Sequence, residues 1–189
     1  TSVTSMTIVP LTTYYFHVRS ACVLGTDYSS WVTSSPIVYI PGDNCSSAIN
    51  LGTQTSPLSS TTVGATNDFS FVCNTNSDPD LIYYIDVPAN YTLVIGQTVN
   101  GYDSENYLFY GGACPGTTQI ACFDDPDIQN ITWTNSTGSL QRVYWVQDGY
   151  ASGNSGTFTL AWTLTPPPIV VTSFSPIAIC SSDLATTTI

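Results

Sequence analysis

The chain has 189 residues and is 42% hydrophobic, which suits one ordinary domain with a packed core and flanking pieces, or two small domains. Only 8% of it is charged: there is no lysine, Arg19 and Arg142 are the two cations, and 13 acids bring the net charge to -11. No nucleic-acid partner is expected, because displacing counterions from a phosphate backbone takes clustered cations, and the same shortage removes any pull toward anionic lipid.

The opening TSVTSMTIVP lacks the basic start and apolar stretch of a signal peptide, so export would be directed by sequence outside these residues. No apolar run approaches the roughly 18–20 residues that span a bilayer, and direct membrane insertion is not expected. A surface made of Thr, Ser, Asn, Gln and Tyr suits a secreted β-sheet protein. Cysteines stand at 22, 45, 73, 114, 122 and 180, without a CxxC unit, and the lone His17 has none at metal-ligand spacing. Disulfides in an oxidising compartment are therefore expected in place of zinc.

In chain order, the lone His17 falls, by period two, on the outer face of a strand in the first segment. The break Ile40-Pro41-Gly42-Asp43 ends this stretch, and residues 1–40 are too short to close a core alone. From Leu81 to Val87, the residues Leu81, Tyr83, Ile85 and Val87 share a face. Shorter strand-like runs follow at Tyr91–Ile95, Asn106–Tyr110 and Arg142–Val146. The clearest alternation is TFTLAWTLT, which sends Phe158, Leu160, Trp162 and Leu164 one way and threonines the other. Turn clusters such as Asn100-Gly101, Gly111-Gly112 and Asp148-Gly149 punctuate these runs, and no segment of helical length has a 3.6-residue apolar period. Pro166-Pro167-Pro168 reads as a stiff linker. The pattern predicts an all-β protein: a jelly-roll or β-sandwich domain over residues 42–165, flanked by partial immunoglobulin-like strands in 1–40 and 166–189.

Three resemblances refine this. The stretch Val9-Pro10-Leu11-Thr12-Thr13-Tyr14-Tyr15-Phe16-His17-Val18-Arg19-Ser20-Ala21-Cys22, with Tyr28-Ser29-Ser30-Trp31, resembles the last two strands of a fibronectin type III domain. That resemblance makes Tyr14 a corner tyrosine and turns Phe16 and Val18 inward. In the middle, Asp43-Asn44-Cys45-Ser46-Ser47-Ala48-Ile49, Asp80 to Pro88, Leu108 to Cys114, Ile120 to Asp125, Val143 to Gly149 and Gly156 to Leu160 resemble the bacterial pre-peptidase C-terminal domain, in the form found in secreted proteins of the Bacteroidota. Such domains are small jelly-roll sandwiches appended to secreted enzymes and adhesins; they do no chemistry, some bind calcium and some contact polysaccharide or protein. Finally, Ile169 to Pro176 with Cys180 is similar to the opening strands of an immunoglobulin-like IPT/TIG domain. Together these imply a window from a tandem array of β-domains on a bacterial cell surface.

Cys114 and Cys122 flank the turn Pro115-Gly116-Thr117-Thr118, so a 114–122 disulfide is expected, with Cys45–Cys73 as the second pair and a buried free thiol as the alternative. Cys22 and Cys180 remain, one in each incomplete end; they pair either between copies, as the tail of one completes the head of the next by strand addition, or within fuller domains. Asp78 and Asp80 in one acidic loop, and Asp124, Asp125 and Asp127 in another, offer oxygens that suit a shared calcium ion; solvated turn aspartates are the plainer reading. Asn44, Asn90, Asn130 and Asn135 fit the glycosylation sequon, as chance allows in so Asn- and Thr-rich a chain. Tyr84, Tyr107, Tyr110, Tyr144 and Tyr150 are either platforms for sugar rings or cross-strand pairs and core.

Catalysis is not expected. The chain has one histidine, no lysine and no GxSxG elbow, and the adjacent acids Asp124 and Asp125 sit too close in sequence to flank one glycosidic bond. No cofactor is required beyond an optional calcium. The function implied is a structural or adhesive module of a multidomain extracellular surface protein or filament, with copies of itself or neighbouring β-domains as partners. The alternative is a carbohydrate-binding accessory module of a secreted hydrolase, with glycans as partners.

Overall fold

The computed structural model describes residues 7–23, 27–71, 78–151 and 153–170. Six short strands come first: β1 (Thr13–Tyr14), β2 (His17–Val18), β3 (Ala21–Val23), β4 (Asp27–Tyr28), β5 (Val32–Thr33) and β6 (Ile37–Val38). They form one interrupted antiparallel hairpin, β1 on β6, β2 on β5 and β3 on β4. Nine further strands follow: β7 (Ile49–Asn50), β8 (Leu58–Thr61), β9 (Leu81–Val87), β10 (Thr92–Asn100), β11 (Ser104–Tyr110), β12 (Thr118–Phe123), β13 (Asn130–Thr134), β14 (Gln141–Gly149) and β15 (Thr157–Thr165).

These nine make two facing sheets, ordered β13-β10-β15-β8 and β12-β11-β14-β9-β7. The chain passes to the other sheet at each step from β8 to β11, makes one hairpin between β11 and β12, then crosses again at each step to β15. That double Greek-key winding is a jelly roll, with the short β7 added in parallel beside β9.

Period-two alternation builds the core. Leu81, Tyr83, Ile85 and Val87 of β9 and Trp145 of β14 meet Leu93 and Ile95 of β10 and Phe158, Leu160 and Trp162 of β15. The Tyr83 and Phe158 rings meet edge to face at 6.2 Å. Each such burial contributes roughly 1.5–3 kcal/mol before entropy is counted.

A second apolar layer lies on the other face of the five-stranded sheet. Ile82, Tyr107, Phe109, Tyr144 and Val146 pack there beneath Phe69, with Phe71 against them. The Phe71 ring stands 4.4 Å from Tyr107 and 4.7 Å from Phe109. The segment ahead of β9 thus covers a face that alternation alone would leave wet, and β9 is buried at nearly every position.

The faces expected for the runs at Leu81 and Thr157 are those observed. The strands expected to pair as a hairpin around the turn at residues 115–118 are β11 and β12, whereas β8 and β13 were not legible as strands. Strands β8, β12 and β13 are all edge strands with mixed polar sequence, held by ladder hydrogen bonds more than by apolar content. Strands β11 and β14 run further than their apolar runs, taking in Ser104 and Glu105 at one end and Gln147, Asp148 and Gly149 at the other. The Pro-rich linker Pro166–Pro168 carries no regular structure. The expected immunoglobulin-like strands beyond it, and Cys180, lie outside the described residues.

Candidate functional site

The extension of β11 and β14 brings acids together. Glu105 stands directly opposite Asp148. The β14–β9 register ends with Gln147 opposite Leu81, so its next step sets Asp148 beside Asp80. The β11–β12 register pairs Asn106 with Phe123, so its next step sets Glu105 beside Asp124. Asp80, Asp148, Glu105 and Asp124 therefore form one row across four strands. They lie on the face that carries Ile82, Val146, Tyr107 and Cys122, two residues along each strand.

Three of the four are sealed from water: Asp80 is 0% exposed, Asp148 1% and Glu105 2%. Asp80 Oδ2 accepts backbone N–H bonds from Asp68 and Phe69 at 3.0 and 2.9 Å, while its Oδ1 has no partner. Asp148 Oδ1 accepts the Gly149 N–H at 2.7 Å, while its Oδ2 has none. Glu105 Oε2 is likewise buried without a close hydrogen-bond partner, and the buried Tyr107 hydroxyl has the Glu105 carboxylate as its polar neighbour. Asp78 closes the end of the row, its Oδ1 accepting from the N–H groups of Gly153 and Asn154 and its Oδ2 unpartnered. This closure depends on Gly149, where a Cβ would stand 2.2 Å from Asn154 O and 2.9 Å from Asp78 Cβ.

Burial and crowding raise the acids' proton affinity. Burial pushes Asp80 up to about 7, against the pull of its two backbone hydrogen bonds, and nearby Asp68 and Asp43 add to the rise. Burial pushes Asp148 up to about 8, helped by the charges of Asp80, Glu105 and Asp78 and opposed by the Gly149 N–H. Asp124 is raised by burial and then by Asp125 and other neighbouring acids. Burial, and next the carboxylate of Glu105, push the Tyr107 phenol above its ordinary range. Neither arginine relieves the row. Arg142 holds Asp86 through two bonds of 2.7 and 2.9 Å and lies 4.1 Å over Tyr84, which lowers Asp86 and raises Arg142. Arg19 lies over the rings of Tyr28 and Trp31.

The five aspartates expected to share an ion are split by the fold. Asp80 and Asp124 fall in the row and Asp78 beside it. Asp127 instead accepts from the Ser104 backbone and hydroxyl, both at 2.8 Å, on the inward side with Gln97, and Asp125 is exposed. Among the described residues, no three His, Cys, Asp or Glu side chains stand close enough, as placed, to hold a metal ion. Glu105 and Asp148 escaped the sequence reading because each sits at the margin of an apolar run and looks like turn chemistry. Their shared parity with Tyr107 and Val146 is the signal that marks them.

The disulfide expectation needs correction. Cys45 bonds Cys114, with 5.8 Å between Cα atoms, not Cys73, and Cys114 does not bond Cys122. Cys122 pairs with Tyr107, well down the β11–β12 ladder, whereas Cys114 sits in the turn beyond Tyr110. Cys122 lies four strand steps past Thr118 at the turn, about 13 Å, too far for a bridge that needs Cα atoms within about 7 Å. Cys122 is disulfide-bonded as well. Cys73, and the side chains that a Cys22–Cys180 bond would need, lie outside the described residues.

The tyrosines are mostly structural. Tyr107 is fully buried, Tyr144 is 6% exposed and tilts against Tyr84 at 6.4 Å, and Tyr110 packs on Trp133 at 5.0 Å; Tyr150 alone of the five is exposed. Asn135 is buried and bonded to Val87 O and Ser139 O, which leaves no room for a glycan there.

The hairpin presents the opposite problem. Tyr14, Phe16 and Val18 share a face, with Ile37 opposite Tyr14 and Val32 opposite Val18. Val18 is 65% exposed and Val32 70%. The Tyr14 hydroxyl turns back to accept the Val9 N–H at 2.6 Å. His17 is exposed and bonded to Thr33. Where hairpin and sandwich meet, a cleft of about 600 Å³ is lined by Leu11, Tyr39, Ile40, Ile49, Leu58 and Leu81 among others, with no acid or cation in its wall.

No family model matches the chain, and neither a curated protein nor a solved structure matches it.

Proposed function

We propose that this chain is a structural or adhesive section of a longer extracellular protein of a bacterial surface, in which a jelly-roll body is joined to neighbouring β-domains. The observation that carries this reading is the hairpin's apolar face. Five large side chains, Tyr14, Phe16, Val18, Val32 and Ile37, sit in one layer with, among the described residues, no second sheet over them. A β-sheet face of this kind reaches stability by packing on a second sheet. The missing layer is supplied by other strands, from the same polypeptide or from the tail of a neighbouring copy.

The Tyr14 bond to the backbone five residues upstream supports the fibronectin-like reading of the hairpin, since a corner tyrosine makes that bond. The jelly-roll strand order supports the pre-peptidase C-terminal resemblance of the body. Paired cysteines and a lysine-free, sparsely charged sequence fit an oxidising, extracellular setting.

Negative-stain images of the native material test the proposal. Linear arrays or filaments of regularly spaced β-domains are the expected result. Saturable binding on a glycan array would replace it with a carbohydrate-binding module, and substrate turnover abolished by substituting an aspartate would replace it with an enzyme.

A further inference from the structure

We propose that the apolar hairpin face of one copy is covered by residues 169–175 of a second copy, so that the chain binds itself head to tail. This covering rests on the reading that the face packs on further strands, and it fixes whose strands they are. Past the Pro166–Pro168 run the sequence is Ile169-Val170-Val171-Thr172-Ser173-Phe174-Ser175, rich in β-branched residues, and no charged residue occurs from Pro166 to Ser182. Ile169 is 93% exposed and Val170 74%, so this run leaves the body in water, as apolar and as open as the hairpin face. A strand without charge can enter an apolar layer with no ion to desolvate.

The layout of the sandwich decides between the chain's own tail and that of a neighbour. The chain enters the body at Ile40 to Gly42, where the Ile82 N–H donates to Gly42 O at 2.7 Å and a Cβ on Gly64 would stand 3.6 Å from Ile40 Cδ1. Thr62 donates its N–H to Gly156 O at 3.0 Å, which puts this entry at the end of the sandwich where β15 begins. β15 then runs for nine residues and ends with Thr165 opposite Thr92. Eight steps along a strand cover about 26 Å, and that distance separates exit from entry. A tail returning to its own hairpin would use about eight extended residues from Pro166 onward, and so consume most of the apolar run on the way. A second copy placed end to end, hairpin against exit, meets the run directly. The contact joins two different surfaces, so every assembly keeps one free hairpin and one free tail and can grow further.

The test uses the full chain with its disulfides intact, in size-exclusion chromatography with light scattering over a range of concentrations. The unmodified chain should give a mass that keeps rising past a dimer as concentration rises. The tail variant Val171→Asp/Phe174→Asp and the hairpin variant Val18→Glu should each weaken association by about tenfold or more. The first changes residues beyond β15 and the second an exposed side chain, and near-UV circular dichroism reports that the sandwich of each is folded. Mixed in equal amounts, the two variants should form a one-to-one complex and stop there, because one keeps only a working hairpin and the other only a working tail. Association of the tail variant at unmodified strength would mean that hairpins pair with each other, and would overturn the proposal. So would a mixture that stays monomeric or grows past a dimer, or an unmodified chain that is monomeric throughout. A monomeric chain beside regularly spaced arrays in the native material would remove the self-assembly and leave the module reading standing; native material without arrays would remove the module reading itself.

Discussion

Glu105 and Asp148 face one another across β11 and β14, both buried, with no cationic side chain among the described residues to separate their charges. Such a pair is tolerable when a proton neutralises part of it, and that proton sets the direction of the protein's pH response.

Asp80 binds its proton up to about pH 7 and Asp148 up to about pH 8, whereas an unfolded aspartate releases its own near pH 4. The folded chain therefore holds more protons than the unfolded chain across that interval, and stability falls as pH rises through it. The groups that face these two acids are Asp68, Asp43, Asp78, Glu105 and Tyr107, none of which supplies positive charge. Asp86, lowered by Arg142, acts in the opposite sense at acid pH, but the pair is well exposed and contributes little. In EDTA, Tm at pH 9 should lie at least about 5 °C below Tm at pH 5. A Tm that climbs between those values would mean the row is solvated or permanently neutralised.

The disulfide gives a covalent check. Cys45 and Cys114 are 69 residues apart, a separation for which the chain-entropy account assigns about 4 kcal/mol. The double variant Cys45→Ala/Cys114→Ala should lose stability of that order, more than a bridge across the Cys114–Cys122 turn would give. Mass spectrometry of an unreduced chymotryptic digest should recover the Cys45 and Cys114 peptides joined. Release of the 111–123 peptide with its two cysteines closed on each other and no Cys45 peptide attached would instead require a different path for the turn at residues 111–117.

How much of this was legible in the sequence depended on which face a residue used. Phe158, Leu160 and Trp162 alternate with threonines and small residues, and their burial follows from period two alone. Leu81, Tyr83, Ile85 and Val87 behave the same way, yet Ile82 between them is also fully buried. Nothing local to β9 says that Phe69 and Phe71 will cover its outer face, because that is a tertiary contact across a chain reversal. The same cover makes Glu105 and Asp148 interior residues. The Cys45–Cys114 bond was hidden for a related reason: it links the 3₁₀ turn at Cys45–Ser47 to the β11–β12 turn, and local spacing favours pairing within a hairpin.

The Tyr14 contact predicts a local effect without a global one. Its hydroxyl accepts the Val9 N–H in an exposed hairpin, away from the sandwich core. Tyr14→Phe should remove hydrogen-exchange protection at the Val9 amide and leave Tm of the body within about 1 °C, since an exposed hydrogen bond adds little net stability. A broad drop in protection across β9 to β15 would show that hairpin and sandwich unfold as one unit.

The apolar hairpin face gives the last prediction. Val18 and Val32 are paired across β2 and β5, both more than half exposed, so hydroxyl groups there meet water and not a vacated core. Val18→Thr/Val32→Thr keeps β-branching and side-chain shape, and the hairpin ladder should survive. If the face serves to pack on a second sheet, the double variant should bind less of a hydrophobic dye and show less concentration-dependent association by light scattering, while Tm of the sandwich stays put. Unchanged dye binding would place the sticky surface elsewhere, with the apolar cleft around Leu11, Ile49 and Leu58 as the next surface to alter. A lowered Tm would show instead that the two valines are already buried in solution, against a partner copy that assembles at the concentration measured.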